Sequence, residues 1–131
     1  MSTKSRGTNA ERDLVHKFWA SKWACFRAAG SGSNKYPTPD IIAGNNIRKL
    51  AIEVKLTTSD RQYFDRKEIE DLNLFGQMFG AEPWVAIKFS KQEWVFLMLE
   101  DLEETPKAFV ASIDVATRRG LKFEEIVNIQ K

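Results

Sequence analysis

The stretch from Leu50 to Thr57 constrains the fold most, because two kinds of residue alternate along it. One row is aliphatic and consists of Leu50, Ile52, Val54 and Leu56. The opposite row consists of Ala51, Glu53, Lys55 and Thr57. Successive side chains of a β-strand point to opposite faces of a sheet. The pattern therefore predicts a strand with an aliphatic face, and it places Glu53 and Lys55 together on the other face.

A second acid is expected beside Glu53. The sequence Gly44-Asn45-Asn46 separates two apolar runs and is typical of a hairpin turn. If Asn45 and Asn46 form a two-residue turn, Asp40 pairs with Ala51 and is a diagonal neighbour of Glu53. Diagonal neighbours have Cα atoms about 7–8 Å apart, so the two carboxylates can share a cation.

Two carboxylates and a lysine at one strand end suit a particular chemistry. Mg²⁺ takes oxygen ligands from one or two carboxylates, water and phosphate. A lysine beside such a metal can stabilise an attacking hydroxide and the charge that develops on phosphorus. Asp40, Glu53 and Lys55 therefore predict a Mg²⁺-dependent phosphodiester nuclease. The alternative is that Glu53 and Lys55 line a solvated strand face and that Asp40 is a turn residue after Pro39.

A third acid lies on a predicted helix that runs from Ala10 to about Lys22. Its apolar stripe consists of Leu14, Val15, Phe18 and Trp19. Glu11 is spaced to lie on this stripe and should face the protein interior. Two interpretations stay open: Glu11 caps the helix by folding back onto the Thr8 amide, or it holds a metal-bound water beside Asp40 and Glu53.

Four segments together resemble the archaeal Holliday junction resolvases of the Hjc type, within the restriction-endonuclease-like (PD-ExK) superfamily. They are Arg6–Val15, Arg27–Ser33, Pro39–Gly44 and Leu50–Lys55. The acids and the lysine identify only the superfamily, whereas the Arg27–Ser33 loop and the start of the helix make the match specific. The match is loose from about Leu99 onward.

The resemblance implies a homodimeric endodeoxyribonuclease that cuts four-way DNA junctions by paired symmetric nicks, in DNA recombination and repair. It implies Mg²⁺ as cofactor, with Mn²⁺ able to substitute. By this resemblance Glu11, Asp40, Glu53 and Lys55 are catalytic, and Asp40 and Glu53 hold the metal, joined by Glu11 through water. Two alternatives are another PD-ExK nuclease of the repair or restriction type and a non-catalytic DNA-binding module.

Charge distribution indicates where DNA would bind. Residues 1–35 carry seven basic and two acidic residues, although the whole chain has a net charge of only +2. A basic segment on a weakly charged body suits phosphate contacts, although it could also serve solubility alone. The predicted DNA-binding residues are Lys4, Arg6 and Lys35 of this basic segment, together with Arg12, Arg27 and Ser31, which the resemblance places at the DNA-facing edge of the site. We expect one nuclease domain over residues 1–131, with residues 1–8 as a flexible basic arm.

The predicted elements form a central mixed β-sheet flanked by helices, an α/β architecture of the restriction-endonuclease-like nuclease fold. Beyond the first hairpin we predict a helix from Asp65 to Gly80 and a second hairpin from strands at 84–89 and 94–99. We also predict an edge strand at 108–113 and short helices at 114–119 and 123–127.

The predicted helix between Asp65 and Gly80 contains residues that indicate a protein partner. Ile69, Leu72, Phe75 and Phe79 form one apolar stripe, and Gly76 is expected to permit close approach of another helix. Phe75 and Phe79 fit either the core of the chain or a dimer interface, and the resemblance implies the interface.

Cellular context follows from composition. A single cysteine, Cys25, excludes an internal disulfide, and no stretch is long and apolar enough for a membrane span or a secretory signal. We expect a cytoplasmic protein that does not contact membranes, with Cys25 in the core. The sequence does not specify further repair or replication partners.

Overall fold

The computed structural model describes residues 3–29 and 35–128, with the backbone alone for residues 3–5. Its elements are α1 (Thr3–Ala20), β1 (Ala24–Arg27), β2 (Ile41–Gly44), β3 (Lys49–Thr57), β4 (Arg61–Asp65), α2 (Arg66–Phe79), β5 (Glu82–Phe89), β6 (Val95–Met98), a 3₁₀ turn (Leu99–Asp101), β7 (Glu103–Glu104), β8 (Ala108–Ser112), α3 (Ile113–Arg119), β9 (Leu121–Lys122) and α4 (Phe123–Ile126). No described helix is long and apolar enough to cross a bilayer.

A six-stranded mixed sheet forms the centre of the fold. Its strand order is β1-β2-β3-β5-β6-β9. Strands β3 and β5 are parallel, and the other neighbours are antiparallel. The chain returns from β3 to β5 through β4 and α2, the long crossover that parallel neighbours require. The predicted mixed sheet with flanking helices is therefore confirmed.

Helices and a smaller sheet cover the two faces of the central sheet. One face packs against α1 and α4 through buried residues that include Leu14, Phe18, Ile41, Ile52, Phe96, Phe123 and Ile126. The other face packs against α2 and a three-stranded sheet of order β4-β8-β7 through Phe64, Ile69, Leu72, Val85, Ile87 and Leu97. Because Glu53 and Lys55 alternate with Ile52 and Val54, they extend from the α2 face.

Helix α1 begins earlier than the apolar periodicity predicted. We expected a start at Ala10, but the helix begins at Thr3. Thr8 therefore lies inside the helix, so the interpretation of Glu11 as a capping residue is wrong. The predicted arm of residues 1–8 is helical from Thr3 onward. These residues are polar or small and carry no apolar stripe, which is why periodicity does not detect them.

Helix α2 has the predicted ends, with Asp65 at its N-cap and Gly80 at its C-cap in the left-handed conformation, φ 79°. Two other predictions need correction. A Cβ atom on Gly76 would lie 2.8 Å from the Ala81 carbonyl oxygen, so this glycine admits the chain entering β5 and not a second helix. Strand Ala108–Ser112 lies in the middle of the small sheet, paired on both sides, and is not an edge strand.

The loop of the first hairpin buries a cation. The Arg48 side chain is only 3% exposed, and its Nε and Nη2 atoms donate to the two Glu82 carboxylate oxygens at 2.8 Å each. Its Nη1 atom donates to the Ile126 carbonyl oxygen at 2.9 Å. Arg48 thus joins the hairpin loop, the start of β5 and the end of α4.

We expect Glu82→Gln to lower the free energy of unfolding by about 3 kcal/mol, because it leaves the buried guanidinium without its countercharge. Urea unfolding followed by circular dichroism measures this. The control is Glu70→Gln, since the Glu70 carboxylate is 64% exposed and 3.9 Å from Arg66; the loss there should stay below about 1 kcal/mol. Equal losses in the two variants would contradict a stabilising buried pair.

Candidate active site

The first hairpin brings Asp40 beside Glu53. Ile41 pairs with Ile52 across the two strands, and Asp40 immediately precedes this last pair of the ladder. The Asp40 amide donates to the Ile52 carbonyl oxygen at 3.0 Å, and Asp40 Oδ2 accepts the Val54 amide at 2.8 Å. Asp40 is thus bonded to the residues on both sides of Glu53, which makes the two carboxylates neighbours.

This register differs from the predicted one. We expected Asp40 opposite Ala51, with Asn45 and Asn46 as the turn, and that prediction is wrong by two residues. The loop comprises residues 45–48, and the Asn45 amide closes it by donating to the Arg48 carbonyl oxygen at 2.9 Å. A shift of two residues keeps every side chain on its face, so Asp40 and Glu53 still share one.

The two carboxylates are largely buried. Asp40 is 7% exposed, and its Oδ2 atom accepts a hydrogen bond from the Val54 amide at 2.8 Å. The Glu53 side chain is 16% exposed. Burial, followed by the charge of Asp40, raises the pKa of Glu53 to about 9. A cation bound beside this acid pair would stabilise its charged form.

Lys55 lies beside this pair. Its Nζ atom is 3.9 Å from Glu53 Oε2 but only 2.8 Å from Glu68 Oε2 on the first turn of α2. Burial alone would lower the pKa of Lys55, but the hydrogen bond and the charge of Glu68, together with Glu53 and Asp40, outweigh it and raise that pKa. Lys55 therefore remains an ammonium.

Glu11 approaches the cluster from α1. Its side chain is 17% exposed, and its Oε1 atom accepts a hydrogen bond from Arg27 Nε at 3.2 Å. Burial, followed by the charge of Asp40, raises the pKa of Glu11, although Arg27 opposes the shift. Glu11 is therefore close enough to Asp40 for their charges to interact, at the end of the sheet where α1 passes it.

Asp40 and Glu53 border a cleft of about 250 Å³ between the segment 36–40 and the first half of α2. Asp40 and Glu53 line it on the sheet side, and Asp65, Glu68 and Asp71 line it on the α2 side. Among the described residues, no group of three or more carboxylate, histidine or cysteine side chains converges as a metal site. The direct ligands would thus be Asp40 and Glu53, a number that Mg²⁺ commonly uses with water completing its shell.

The other predicted residues occupy distinct positions. Arg6 and Arg12 are exposed on α1, and Lys35 is exposed just before the cleft segment. The Lys4 side chain and Ser31 lie outside the described residues. On α2, Phe75 packs partly against the core and Phe79 is 47% exposed; their ring centroids are 5.2 Å apart.

Sequence reasoning missed Glu68. The available signal was the spacing of Asp65 and Glu68, which is that of a capping box at a helix start. That motif explains one bond, in which the Asp65 amide donates to Glu68 Oε1 at 3.0 Å. It gives no indication that the other oxygen reaches Lys55.

Known proteins share this arrangement of elements and sequence. The profile of a family described as archaeal Holliday junction resolvase (Hjc) matches residues 2–131. The chain belongs to the Hjc family. It is 44% identical over 106 residues to a crossover junction endodeoxyribonuclease Hjc of Archaeoglobus fulgidus, covering 81% of this chain and 78% of that protein. It is 31% identical over 130 residues to the Hjc of Sulfolobus acidocaldarius, covering 97% and 90%.

A solved structure agrees with the family assignment. The structure of Archaeoglobus fulgidus Hjc, described as a Holliday junction resolvase from an archaeal hyperthermophile, matches with a TM-score of 0.87 and 39% identity. The match covers 93% of this chain and all of that one, 100%. The resemblance and the nuclease fold that the sequence predicted for this Hjc-family chain are thus confirmed.

The raised pKa of Glu53 makes a pH prediction for this Hjc-family chain. Between its ordinary value of 4.5 and about 9, folded Glu53 keeps a proton that the unfolded chain has released. Stability falls with pH wherever the folded state binds more protons. The metal-free protein should therefore be more stable near about pH 6 than near about pH 8.5, in urea unfolding with EDTA. Glu53→Gln should reduce this difference, and an undiminished difference would contradict the assignment to Glu53.

Proposed function

We propose that this chain is an endodeoxyribonuclease that resolves four-way DNA junctions by paired symmetric nicks, with Mg²⁺ as cofactor. The observation that carries the proposal is the position of Asp40 beside Glu53 at a cleft, with the Lys55 ammonium 3.9 Å from Glu53. Membership of the Hjc family supports the choice of substrate.

The residues of the site have separate roles in this proposal. Asp40 and Glu53 hold the metal, and Lys55 supplies positive charge toward the phosphate that is attacked. Glu11, next to Asp40, orients the attacking water. When bound, Mg²⁺ or a substituting Mn²⁺ would polarise the phosphate and lower the pKa of water.

DNA is proposed to bind along α1 and the entrance of the cleft. Arg6, Arg12 and Lys35 are exposed cations of this proposed surface, and Arg27 is a partly exposed cation that pairs with Glu11 at 3.2 Å. Lys4 and Ser31 complete the proposed set from the sequence. Each phosphate contact releases counterions, so binding should weaken as salt rises.

A homodimer is part of the same proposal. A four-way junction presents two equivalent strands to be cut, and a two-fold dimer presents two identical sites. Phe79 and the neighbouring Met78, which is 80% exposed, place apolar surface at the end of α2. A large exposed apolar patch is typical of an interaction surface.

The direct test uses an end-labelled four-way junction and a linear duplex of the same sequence, each with Mg²⁺ and with EDTA. A resolvase cuts the junction in Mg²⁺, cuts it at symmetric positions on opposed strands, and cuts nothing in EDTA. Equal cutting of the duplex would favour a nuclease of the repair or restriction type. Binding without any cutting would favour a non-catalytic module.

Glu11→Gln should slow cleavage by about 10²-fold, the usual contribution of one positioned acid–base group. Its melting temperature should stay close to that of the wild type, because Thr8 is not an N-cap and Glu11 has no capping role. Single-turnover rates and a thermal melt measure the two quantities. A lower melting temperature with an unchanged rate per folded molecule would assign Glu11 to stability.

A further inference from the structure

The carboxylate of Glu68 is shared between two partners. Oxygen Oε1 accepts the Asp65 amide at 3.0 Å, at the start of α2, and oxygen Oε2 accepts Lys55 Nζ at 2.8 Å. Glu68 lies on a helix and Lys55 on a strand, so this bond joins two separate elements at the edge of the cleft.

This bond fixes Lys55 more than any contact with the acid pair does. Lys55 Nζ lies 3.9 Å from Glu53 Oε2, which is too long for a hydrogen bond. The ammonium also lies 5.8 Å from the centre of the Phe64 ring. The Lys55 side chain is 27% exposed and that of Glu68 is 30% exposed, so water only partly screens the pair.

Without an anchor, the Lys55 ammonium would compete with a cation for Asp40 and Glu53. Lysine has a flexible four-carbon stem and a compact charge. Released from Glu68, the ammonium could move the short distance to Glu53 and neutralise a carboxylate that a cation needs. An anchor on the opposite wall of the cleft prevents that collapse and keeps the charge available to a phosphate.

We propose that Glu68 is a positioning residue of this active site, holding the Lys55 ammonium away from the metal-binding carboxylates and toward the substrate phosphate. The inference rests on the proposed nuclease function. Glu68 itself touches neither the metal nor the DNA in this arrangement and acts through Lys55.

Glu68→Gln separates this role from helix capping. The amide oxygen of glutamine can still accept the Asp65 amide, but the negative charge and the second acceptor oxygen are lost. Glu70→Gln is the control, because it removes one negative charge from the same helix at a carboxylate that is 64% exposed and paired only loosely with Arg66.

Under single-turnover conditions with Mg²⁺, Glu68→Gln should cut junctions about 10- to 100-fold more slowly, the usual cost of losing a residue that orients an active-site group. Junction affinity in EDTA should stay within about threefold of wild type, since phosphate contacts dominate affinity. Glu70→Gln should match the wild type in both measurements.

A double-mutant cycle tests whether Glu68 acts through Lys55. In a Lys55→Met background, Glu68→Gln should cause no further loss of rate. A chemical readout accompanies it: reductive methylation of Lys55, followed by mass spectrometry and compared with exposed Lys91, should become several-fold faster in Glu68→Gln. If Glu68 only capped the helix, Glu68→Gln would have the same effect on the rate in the wild-type and Lys55→Met backgrounds. The rate of Lys55 methylation would then stay unchanged.

Three outcomes overturn the inference. The Glu68→Gln variant cuts at the wild-type rate, or its fold-loss of cleavage rate multiplies the fold-loss of Lys55→Met in the double variant. The third is an unchanged rate of Lys55 methylation in Glu68→Gln. A wild-type protein that cuts no junction in Mg²⁺ refutes the proposed function, and this inference with it. A wild-type protein that cuts, beside a Glu68→Gln variant that cuts equally well, refutes the inference alone.

Discussion

Glu53→Gln is expected to abolish junction cleavage, lowering the single-turnover rate by about 10³-fold or more. Glu53 is one of the two carboxylates that we propose as direct ligands of the cation, and an amide oxygen carries no charge to hold it. Junction affinity without metal should stay the same or increase, because a negative charge beside the DNA phosphates has been removed.

Asp40→Asn should behave in the same way, and it is the more demanding test of the fold. Asp40 Oδ2 accepts the Val54 amide at 2.8 Å, and the asparagine oxygen can keep that bond. Cleavage of labelled junctions and gel-shift binding in EDTA measure the two effects. If either variant cuts at the wild-type rate, the cation is not held by this pair.

The sequence predicted the acid pair because the signals involved are local. Alternation along β3 places Glu53 and Lys55 on one face whatever the rest of the chain does. The hairpin register was wrong by two residues, but an even shift changes no face. Asp40 was therefore predicted on the correct side although its partner was not.

Contacts made by distant elements were beyond the sequence. Glu68 reaches Lys55 only because α2 crosses beside β3, and no local pattern gives that distance. No local pattern indicates that Arg48 is buried, because its partners Glu82 and Ile126 lie far along the chain. The small sheet was missed for the same reason, since its strands pair with partners distant in sequence.

Replacing both Phe75 and Phe79 by alanine is expected to convert the proposed dimer into a monomer, weakening association by about 10³-fold or more. Central aromatic residues usually provide most of the energy of an interface. The two rings are in contact, and Lys49 Nζ lies 4.8 Å from the centre of the Phe79 ring. Sedimentation equilibrium over a range of concentrations measures the change.

The two positions are not equivalent within one chain. Phe75 packs partly against the core around Ile69 and Leu72, so its loss should also destabilise the monomer. Phe79 is 47% exposed, so Phe79→Ala alone should weaken association with little effect on unfolding. Tyr63→Ala is the control, an aromatic residue that is 58% exposed but lies on the small sheet.

The pattern of cuts connects this variant to function. Asp40, Glu53 and Lys55 belong to one chain, so a folded monomer should still make single nicks. Paired cuts require two sites held by one two-fold axis, so the double variant should yield nicked junctions in place of resolved duplexes. A variant that stays dimeric and still resolves junctions would place the interface elsewhere. A Phe79→Ala chain that unfolds would assign that ring to the core.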